Sequence, residues 1–296
     1  MRAGIVILPE DRWWAAEPKW RAAEEYGFDH AWTYDHLGWR NLVEGPWFSA
    51  VPTLTAAATV TSTIRLGTFV ASPNFRHPVP FTRELITLDD VSDGRLIVGL
   101  GAGTGAPTYD SVVLGEPQLT VKQRADRFIE FTEALDGLLT TDRFDYRGAH
   151  YAAQGARNLP GPVQRPRMPF VIAANGPRTM RLAARFGTGW ATTGGERTGL
   201  EEWWKSVAEL SATFDQALAE AGRDRDQVHR YLLLDAGPVY SLSSVNAFED
   251  AVGRAEELGF TDVVAHWPRS DFPFEGRESV LETVAADILP GLSARK

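Results

Sequence analysis

The sequence predicts an α/β protein, a single (β/α)8 TIM barrel formed by residues 1–296. Three observations support this fold. A helix–glycine–strand pattern occurs three times, the apolar runs give eight candidate strands, and 296 residues suit one barrel of roughly 250 residues or more. A doubly wound sheet shows the same alternation of strands and helices and remains the alternative fold.

The repeated pattern joins the last turn of an amphipathic helix to a glycine and a short apolar strand. It occurs in AEEYGFDHAWTYD, AARFGTGWATTG and AEELGFTDVVAHW. Gly27, Gly187 and Gly259 stand where a helix can end in the left-handed conformation, which glycine adopts without steric cost. The runs that follow are too short for helices and rich in β-branched or aromatic residues, which favours buried parallel strands.

The eight candidate strands are residues 5–8, 31–34, 64–70, 96–100, 170–174, 190–193, 232–239 and 263–267. Apolar residues at a spacing of three to four predict helices over 121–138 and 245–258, the second capped by Ser244. Residues 140–168 break the alternation, because FDYRGAHY surrounds a turn and a run of prolines and glycines follows. This segment is predicted to be an inserted β-hairpin and loop.

Composition excludes several classes of partner and site. The chain has 30 basic and 39 acidic residues, and its formal charge of −9 repels a phosphate backbone, so no nucleic acid partner is expected. Since it has no cysteine, disulfides, thiolate metal sites and a cysteine nucleophile are absent. The short apolar run in MRAGIVILPEDRWW predicts neither a signal peptide nor a membrane span, and we expect a cytoplasmic protein.

The candidate catalytic residues follow the second predicted strand. In a barrel, ligands meet the C-terminal ends of the strands, and there the chain has Asp35, His36 and, close behind, Trp39. A lone histidine often has a structural role, but its position favours His36 as a proton donor or ring contact. His77 also fits a structured turn that begins the third helix.

The glycine-rich segment GLGAGTG follows the fourth predicted strand and allows three interpretations. GAGTGA fits a dinucleotide fingerprint, although Pro107 interrupts it and no acidic residue ends a strand about twenty positions later. The segment can also be a turn by which the chain leaves the barrel. The favoured interpretation is close approach of the backbone to a phosphate at Gly103, Thr104 and Gly105.

Two further segments suit an anion. Asn175 and Gly176 precede Pro177, which predicts a helix start with free backbone amides. The turn Thr192, Thr193, Gly194, Gly195 follows the next strand. Because neighbouring strands carry both segments, a cofactor with a phosphate tail is expected.

Aromatic residues in the predicted strand-to-helix loops indicate an apolar pocket over a flat ring system. The candidate substrate pocket consists of Trp13, Trp14, Phe75, Tyr109, His266 and Trp267. The six histidines show no metal-ligand spacing, and neither a G-x-S-x-G elbow nor a Walker A loop is present.

Together, four stretches resemble the luciferase-like oxidoreductases that depend on flavin or on the deazaflavin coenzyme F-420 (F420). They are AEEYGFDHAWTYDH, IRLGTFVASPNFRHP, LDDVSDGRLIVGLGAGTG and PFVIAANGPRTMRLAARFGTGWATTG. The resemblance extends over nearly the whole chain. It implies a barrel with an insertion, usually a homodimer, that binds FMN or F420 and a small-molecule substrate.

The resemblance also implies roles for particular residues. A non-proline cis peptide is expected at Phe69-Val70, where it supports the middle of the ring system. The compact length and Asp35, His36 and Trp39 are similar to the F420 branch. The residues implied to hold the phosphate tail are Thr104, Gly105, Asn175, Gly176 and Thr193 to Gly195.

One position departs from the F420-dependent sugar-phosphate dehydrogenases. They have a catalytic glutamate after the G-T-G turn, whereas this chain has Ala106. The resemblance therefore implies hydride transfer to an unsaturated C=C or C=N acceptor in place of alcohol oxidation. An FMN-dependent monooxygenase that uses reduced flavin and O2, and a catalytically silent cofactor-binding barrel, are the alternatives.

Overall fold

A computed structural model describes residues 1–103, 108–195 and 197–293. In these ranges eight parallel strands form a closed barrel, which confirms the predicted fold. The barrel strands are β1 (Arg2–Val6), β2 (His30–Thr33), β3 (Arg65–Ala71), β4 (Leu96–Gly101), β7 (Phe170–Ala173), β8 (Gly189–Thr192), β9 (His229–Leu233) and β10 (Asp262–His266). Strands β5 (Arg143–Arg147) and β6 (Ala152–Arg157) form a separate two-stranded hairpin.

Helices alternate with the barrel strands. They are α1 (Trp13–Glu25), α2 (Ala50–Val60), α3 (Pro78–Val91), α4 (Tyr109–Val113), α5 (Val121–Thr140), α6 (Pro177–Phe186), α7 (Leu200–Glu220), α8 (Val245–Glu257), α9 (Glu278–Asp287) and α10 (Leu289–Ser293). Ser244 Oγ accepts from the backbone N of Ala247 at 3.1 Å, which confirms the predicted cap of α8. His77 likewise caps α3, because its Nδ1 accepts from the backbone N of Val79. Within the described ranges no helix is both long and apolar enough to cross a bilayer.

The predicted hairpin insertion is confirmed by β5 and β6, which pair in antiparallel fashion. Its turn is anchored by Glu130 of α5. The carboxylate of Glu130 accepts from the backbone N atoms of Ala149, His150 and Tyr151 at 3.0, 2.8 and 2.7 Å. A single surface carboxylate thus organises the tip of the insertion.

Two strand predictions are wrong in their limits. The first strand begins at Arg2, earlier than the predicted 5–8, because the polar Arg2 pairs in register with Asp262 and bonds to its carboxylate. The predicted strand 232–239 instead lies at His229–Leu233. A 3-10 turn over Leu234–Ala236 ends it, and Asp235 there accepts from the backbone N of Ser241 at 2.8 Å.

The three helix-ending glycines divide into two kinds. Gly27 and Gly259 have φ values of +83° and +77°, as predicted. Gly187 has φ −75°, so its predicted left-handed stop is wrong. A Cβ at Gly187 would lie 2.6 Å from the carbonyl oxygen of Ala183. Glycine is required there by close approach of the backbone.

The chain divides into two compact units. The first comprises Met1–Leu8, Pro18–Trp32 and the described part of Val171–Lys296, and the second comprises Pro9–Glu17 and the described part of Thr33–Phe170. The assignment of residues 1–296 to one domain stays a prediction.

Candidate functional site

In the second unit, Asp35 forms an ion pair with Arg76. Its side chain is buried, and its two oxygens accept from Nε and Nη2 of Arg76 at 3.0 and 2.7 Å. Arg76 also bonds to Glu84 at 2.6 Å. Burial lowers the pKa of Arg76, but its bonds to these carboxylates outweigh burial and raise it. Asp35 is therefore placed to anchor the loop after β2.

His36 pairs with Asp110, which is not among the predicted site residues. Its Nδ1 lies 2.7 Å from Oδ2 of Asp110, and Oδ1 of Asp110 accepts from the backbone N of Leu37 at 2.7 Å. Trp47 Nε1 donates to the carbonyl oxygen of His36 at 2.8 Å. The one signal for Asp110 is its position in the first turn of a short helix, beside the predicted pocket residue Tyr109.

Trp39 lies in an aromatic group after β2. Its ring meets that of Tyr34 edge-on, with 5.0 Å between centroids, and the guanidinium of Arg40 lies 4.5 Å from its centroid. The Tyr34 ring also lies edge-on to the His36 ring, with 6.1 Å between centroids. The structure thus brings the predicted residues His36 and Trp39 to a common neighbour, Tyr34.

The end of β3 has the backbone geometry that the resemblance implied. The Phe69-Val70 peptide is cis, and the register against β4 shifts between Thr68 and Ala71, which confirms a bulge. Phe69 is buried and Val70 is half-buried.

Gly103 follows β4 with a φ of +76°, and a Cβ there would lie 2.7 Å from the amide nitrogen of Asn74. Asn74 Oδ1 accepts from Nη2 of Arg127 at 3.1 Å. Nε of Arg127 is buried and finds no hydrogen-bond partner among the described residues. Close packing at Gly103 therefore comes with a half-buried cationic side chain whose buried Nε has no partner among the described residues. The predicted Thr104 and Gly105, and Ala106, lie outside the described residues.

In the first unit, Asn175 links the segments that follow β7 and β8. Its Nδ2 donates to Thr193 Oγ1 at 2.9 Å, and its Oδ1 accepts from Thr192 Oγ1 at 2.7 Å. Gly176 precedes α6 without a side-chain cap, and Pro177 occupies the first turn. The prediction that these two segments form one site is consistent with this network.

The turn after β8 requires glycine at two successive positions. Gly194 and Gly195 have φ values of +72° and +75°. The backbone N of Gly194 donates to Thr192 Oγ1 at 3.1 Å, and a Cβ at Gly194 would overlap the indole of Trp203. The turn therefore follows a tight backbone path that a residue with a side chain would adopt only with strain.

Four residues predicted to line the substrate pocket, Trp13, Trp14, Phe75 and Tyr109, lie in the second unit. Trp13 and Trp14 lie in the first turn of α1, so their assignment to a loop is wrong, and Trp14 is 77% exposed. The guanidinium carbon Cζ of Arg76 lies over the Phe75 ring, 4.9 Å from the centroid of that ring. Tyr109 is 40% exposed in α4.

His266 and Trp267 are buried at the end of β10. The His266 ring stacks on Phe274 at 3.6 Å, and its Nδ1 lies 3.0 Å from Oδ2 of Asp235. Trp267 Nε1 donates to Glu278 at 2.9 Å. Contact of either ring with a substrate stays a prediction. Within the described ranges, acids and histidines form no cluster suited to a metal.

Comparisons with known proteins agree with this architecture. The model of the luciferase-like monooxygenase family matches residues 16–236. An F420-dependent glucose-6-phosphate dehydrogenase of Beutenbergia cavernae is 31% identical, over 93% of this chain and 92% of that protein. A 5,10-methylenetetrahydromethanopterin reductase of Archaeoglobus fulgidus is 27% identical, over 90% of this chain and 71% of that protein.

A solved structure supports the fold. The coenzyme F420 dependent tetrahydromethanopterin reductase from Methanopyrus kandleri superposes with a TM-score of 0.78 at 20% identity, over 98% of this chain and 99% of that chain. With three quarters of its length matched by the family model, this chain belongs to the luciferase-like monooxygenase family.

Proposed function

We propose that this protein binds coenzyme F420 and catalyses hydride transfer between F420 and a small or medium organic substrate. The observation that carries the proposal is similarity along almost the whole chain to proteins named as F420-dependent, at 31% identity over 93% of the chain. Such a reaction needs residues that bind a phosphate tail and residues that bind a flat ring, and the two groups are taken here one unit at a time.

The first unit fits the phosphate tail. The turn at Gly194 and Gly195 has a backbone conformation that residues other than glycine rarely adopt, and Thr192 Oγ1 holds it by accepting from the backbone N of Gly194. Gly176 is the N-cap residue of α6 and makes no side-chain cap, and the N-terminus of a helix favours an anion. Asn175 joins the two segments by its bonds to Thr192 and Thr193. We assign the tail to these residues.

The second unit fits the ring. The bulge at Phe69-Val70 provides a backbone surface for a flat molecule, in line with the resemblance described above. Gly103 packs so closely on Asn74 that a side chain at position 103 would displace the side chain of Asn74. Its position after β4 leaves backbone as the contact surface at that strand end.

F420, when bound, accepts or supplies a hydride at its ring. The protein's own contribution is to orient the substrate and to move a proton. His36 is the proposed proton donor or ring contact, and none of the described residues bonds to its Nε2. Trp39 is proposed to pack on the substrate, and Asp35 to hold the loop that carries both.

The proposed substrates are molecules with an unsaturated C=C or C=N bond. Oxidation of a sugar phosphate, as the name glucose-6-phosphate dehydrogenase describes for several relatives, needs a group that removes the hydroxyl proton. Ala106 has no such group. Reduction of an unsaturated bond requires a hydride and one proton, and His36 suffices for the proton.

We also propose a homodimer. Helix α2 has no charged residue in AVPTLTAAATV, whereas 23% of the whole chain is charged. A shallow groove of about 620 Å³ lies along its outer face and α3, lined by Pro52, Thr55, Ala56, Thr59, Arg83 and Thr87. Light scattering after size exclusion should give a dimer mass, and Ala56→Arg should give a monomer. A monomeric wild-type protein at micromolar concentration contradicts this proposal.

The cofactor is tested by titrating the purified protein with F420 and, separately, with FMN, following the fluorescence of each. We expect saturable binding of F420 and weak binding of FMN. The loaded enzyme is then supplied with enones and imines while F420 absorbance and oxygen uptake are recorded. Preference for FMN with oxygen uptake would instead support a flavin monooxygenase, and F420 binding without turnover on any acceptor a silent binding protein.

A further inference from the structure

His36 is hydrogen-bonded to a residue of the same unit that lies 74 positions further along the chain. Nδ1 of His36 is 2.7 Å from Oδ2 of Asp110, and Oδ1 of Asp110 accepts from the backbone N of Leu37. The Asp110 side chain has no exposed surface, whereas the His36 side chain is 17% exposed. Both oxygens of a fully buried carboxylate are therefore occupied by the segment His36–Leu37.

The carboxylate determines which nitrogen of His36 carries the proton. An ionised carboxylate has acceptor oxygens only, so the bond to Asp110 requires a proton on Nδ1. In the neutral ring Nε2 then has a lone pair, and in the protonated ring it has a proton to give. None of the described residues bonds to Nε2 of His36. The arrangement leaves this nitrogen for a ligand.

We infer that Asp110 is a positioning residue that holds His36 in the Nδ1–H tautomer and directs Nε2 toward the reacting substrate. The inference rests on the proposed function, since it assigns a partner to the proposed proton donor. Asp35 cannot take this role, because both of its oxygens pair with Arg76.

Helix α4 holds Asp110 in place by a second contact with the same loop. The ring of Tyr109 lies against Gly38, where a Cβ would be 2.7 Å from Cδ1 of Tyr109. Thr108 caps the helix through the backbone N of Ser111. The residues at positions 36, 37 and 38 thus contact α4 in succession, which explains why a five-residue helix carries a completely buried acid.

The proton step balances with the proposed reduction. The substrate gains one hydride with its electron pair, supplied by reduced F420, and one proton. The proton leaves Nε2 of protonated His36 and forms the bond to the second substrate atom, while the electron pair of the broken N–H bond stays on Nε2. The Nδ1 proton remains shared with Asp110, which gains no proton.

Asp110→Asn tests the inference, because it keeps the size of the side chain and reverses the direction of the hydrogen bond between His36 and residue 110. The backbone N–H of Leu37 still needs an acceptor, so the amide oxygen faces Leu37 and the NH2 group faces His36. Nδ1 of His36 must then accept, and the ring is locked with its proton on Nε2. A substitution that keeps the fold thus produces the wrong tautomer.

The direct readout is the tautomer. Long-range 1H–15N spectra of protein labelled with 15N-histidine distinguish the two neutral forms, and the signal of His36 among the six histidines is assigned by its loss in His36→Gln. For the neutral ring we expect Nδ1–H in the wild type and Nε2–H in Asp110→Asn. A structural role alone would not move this signal.

The kinetic readout is a split between turnover and binding. We expect kcat of Asp110→Asn to fall roughly 100-fold or more, with the Kd for F420 unchanged within about threefold. Asp89→Asn is the matched control. Asp89 is also fully buried, and it accepts from the backbone N and Nε2 of Gln164 in the same unit. It should keep the wild-type tautomer of His36 and the wild-type kcat.

Two results overturn the inference: a wild-type His36 with its proton on Nε2, or an Asp110→Asn enzyme with wild-type kcat. The wild-type spectrum decides the question even where Asp110→Asn fails to fold. Absence of F420 binding to the wild type would refute the proposed function instead, and the spectra would still show whether Asp110 sets the tautomer.

Discussion

The indole Nε1 of Trp203 donates a hydrogen bond of 2.9 Å to the carbonyl oxygen of Thr193. The same ring occupies the space that a Cβ at Gly194 would need. A residue of α7 therefore determines both the direction of one carbonyl in the turn and the residue type that follows it. The predicted phosphate site depends on a side chain outside the turn itself.

Gly194→Ala should damage the turn. The substitution forces a left-handed φ on alanine and a clash with Trp203, and we expect a loss of unfolding free energy above about 2 kcal/mol and F420 binding weakened at least roughly tenfold. Gly222→Ala is the control, because Gly222 has a φ of +65° with no atom within 4 Å of a Cβ. It should cost about 1–2 kcal/mol and leave F420 binding intact. Chemical denaturation and fluorescence titration measure both; similar affinities in the two variants would contradict a role for the turn.

Trp203→Phe removes the hydrogen bond to Thr193 and keeps an aromatic ring. Loss of one hydrogen bond of about 1 kcal/mol predicts about fivefold weaker F420 binding, with kcat unchanged at saturation. Trp204→Phe is the matched change, because the ring of Trp204 is also buried and lies edge-on to that of Trp203 at 4.7 Å. Equal effects of the two substitutions on the Kd for F420 would show that the bond to Thr193 does not support the site.

His36→Ala should lower kcat by roughly 10²- to 10⁴-fold while the Kd for F420 changes little, because general acid catalysis contributes in that range. His77→Ala is the control. It removes the cap of α3, costs about 1 kcal/mol of stability and leaves kcat unchanged. Steady-state kinetics and titration separate the two quantities. If kcat and cofactor affinity fall equally in His36→Ala, the residue is a binding contact and no acid.

A buried ion pair in the first unit predicts acid sensitivity. Burial by itself raises the pKa of Asp262, but hydrogen bonds and charge from His30 and Arg2 outweigh it and lower the pKa to about 2. A carboxylate with a depressed pKa stabilises the fold above its unfolded value of 3.8, and this contribution is lost as the pH falls toward 2.

Asp262→Asn should therefore cost about 2 kcal/mol or more at pH 7. The difference from the wild type should shrink between pH 4 and pH 2, as measured by urea unfolding across that range. Glu220→Gln, at an exposed position at the end of α7, should match the wild type throughout. A difference from wild type that stays constant down to pH 2 would refute the assignment of the acid sensitivity to Asp262.

Local patterns were sufficient for much of the fold. The helix–glycine–strand segments located β2, β8 and β10 to within one residue, because helix ends and buried strands are encoded by residues a few positions apart. The hairpin and the caps at Ser244 and His77 were predictable for the same reason. The cis peptide at Phe69-Val70 was expected from the family resemblance and not from local propensity.

Contacts that the pattern of residue types does not reveal account for the errors. The run 232–239 contains enough apolar residues for a long strand. Asp235 in its middle instead accepts from the backbone N atoms of Ser241 and His266, and the chain turns there. Gly187 fits the pattern of a left-handed stop, yet the reason for glycine there is the approach of the Ala183 carbonyl. The first error involves His266, 31 positions from Asp235, and the second depends on the exact path of the backbone over four residues, which residue types alone do not specify.

Periodicity and the conformational range of single residues were sufficient to predict the barrel, its insertion and the glycine turns at the strand ends, whereas the role of His36 stays a prediction. The tertiary structure alone decided that Asp35 is held by Arg76, that Asp110 is the partner of His36, and that Trp203 shapes the turn at Gly194. These pairs join residues that are 41, 74 and nine positions apart. Hydrogen bonds and exclusion of volume act at a few ångströms, so folding must bring the partners together before either can select the other.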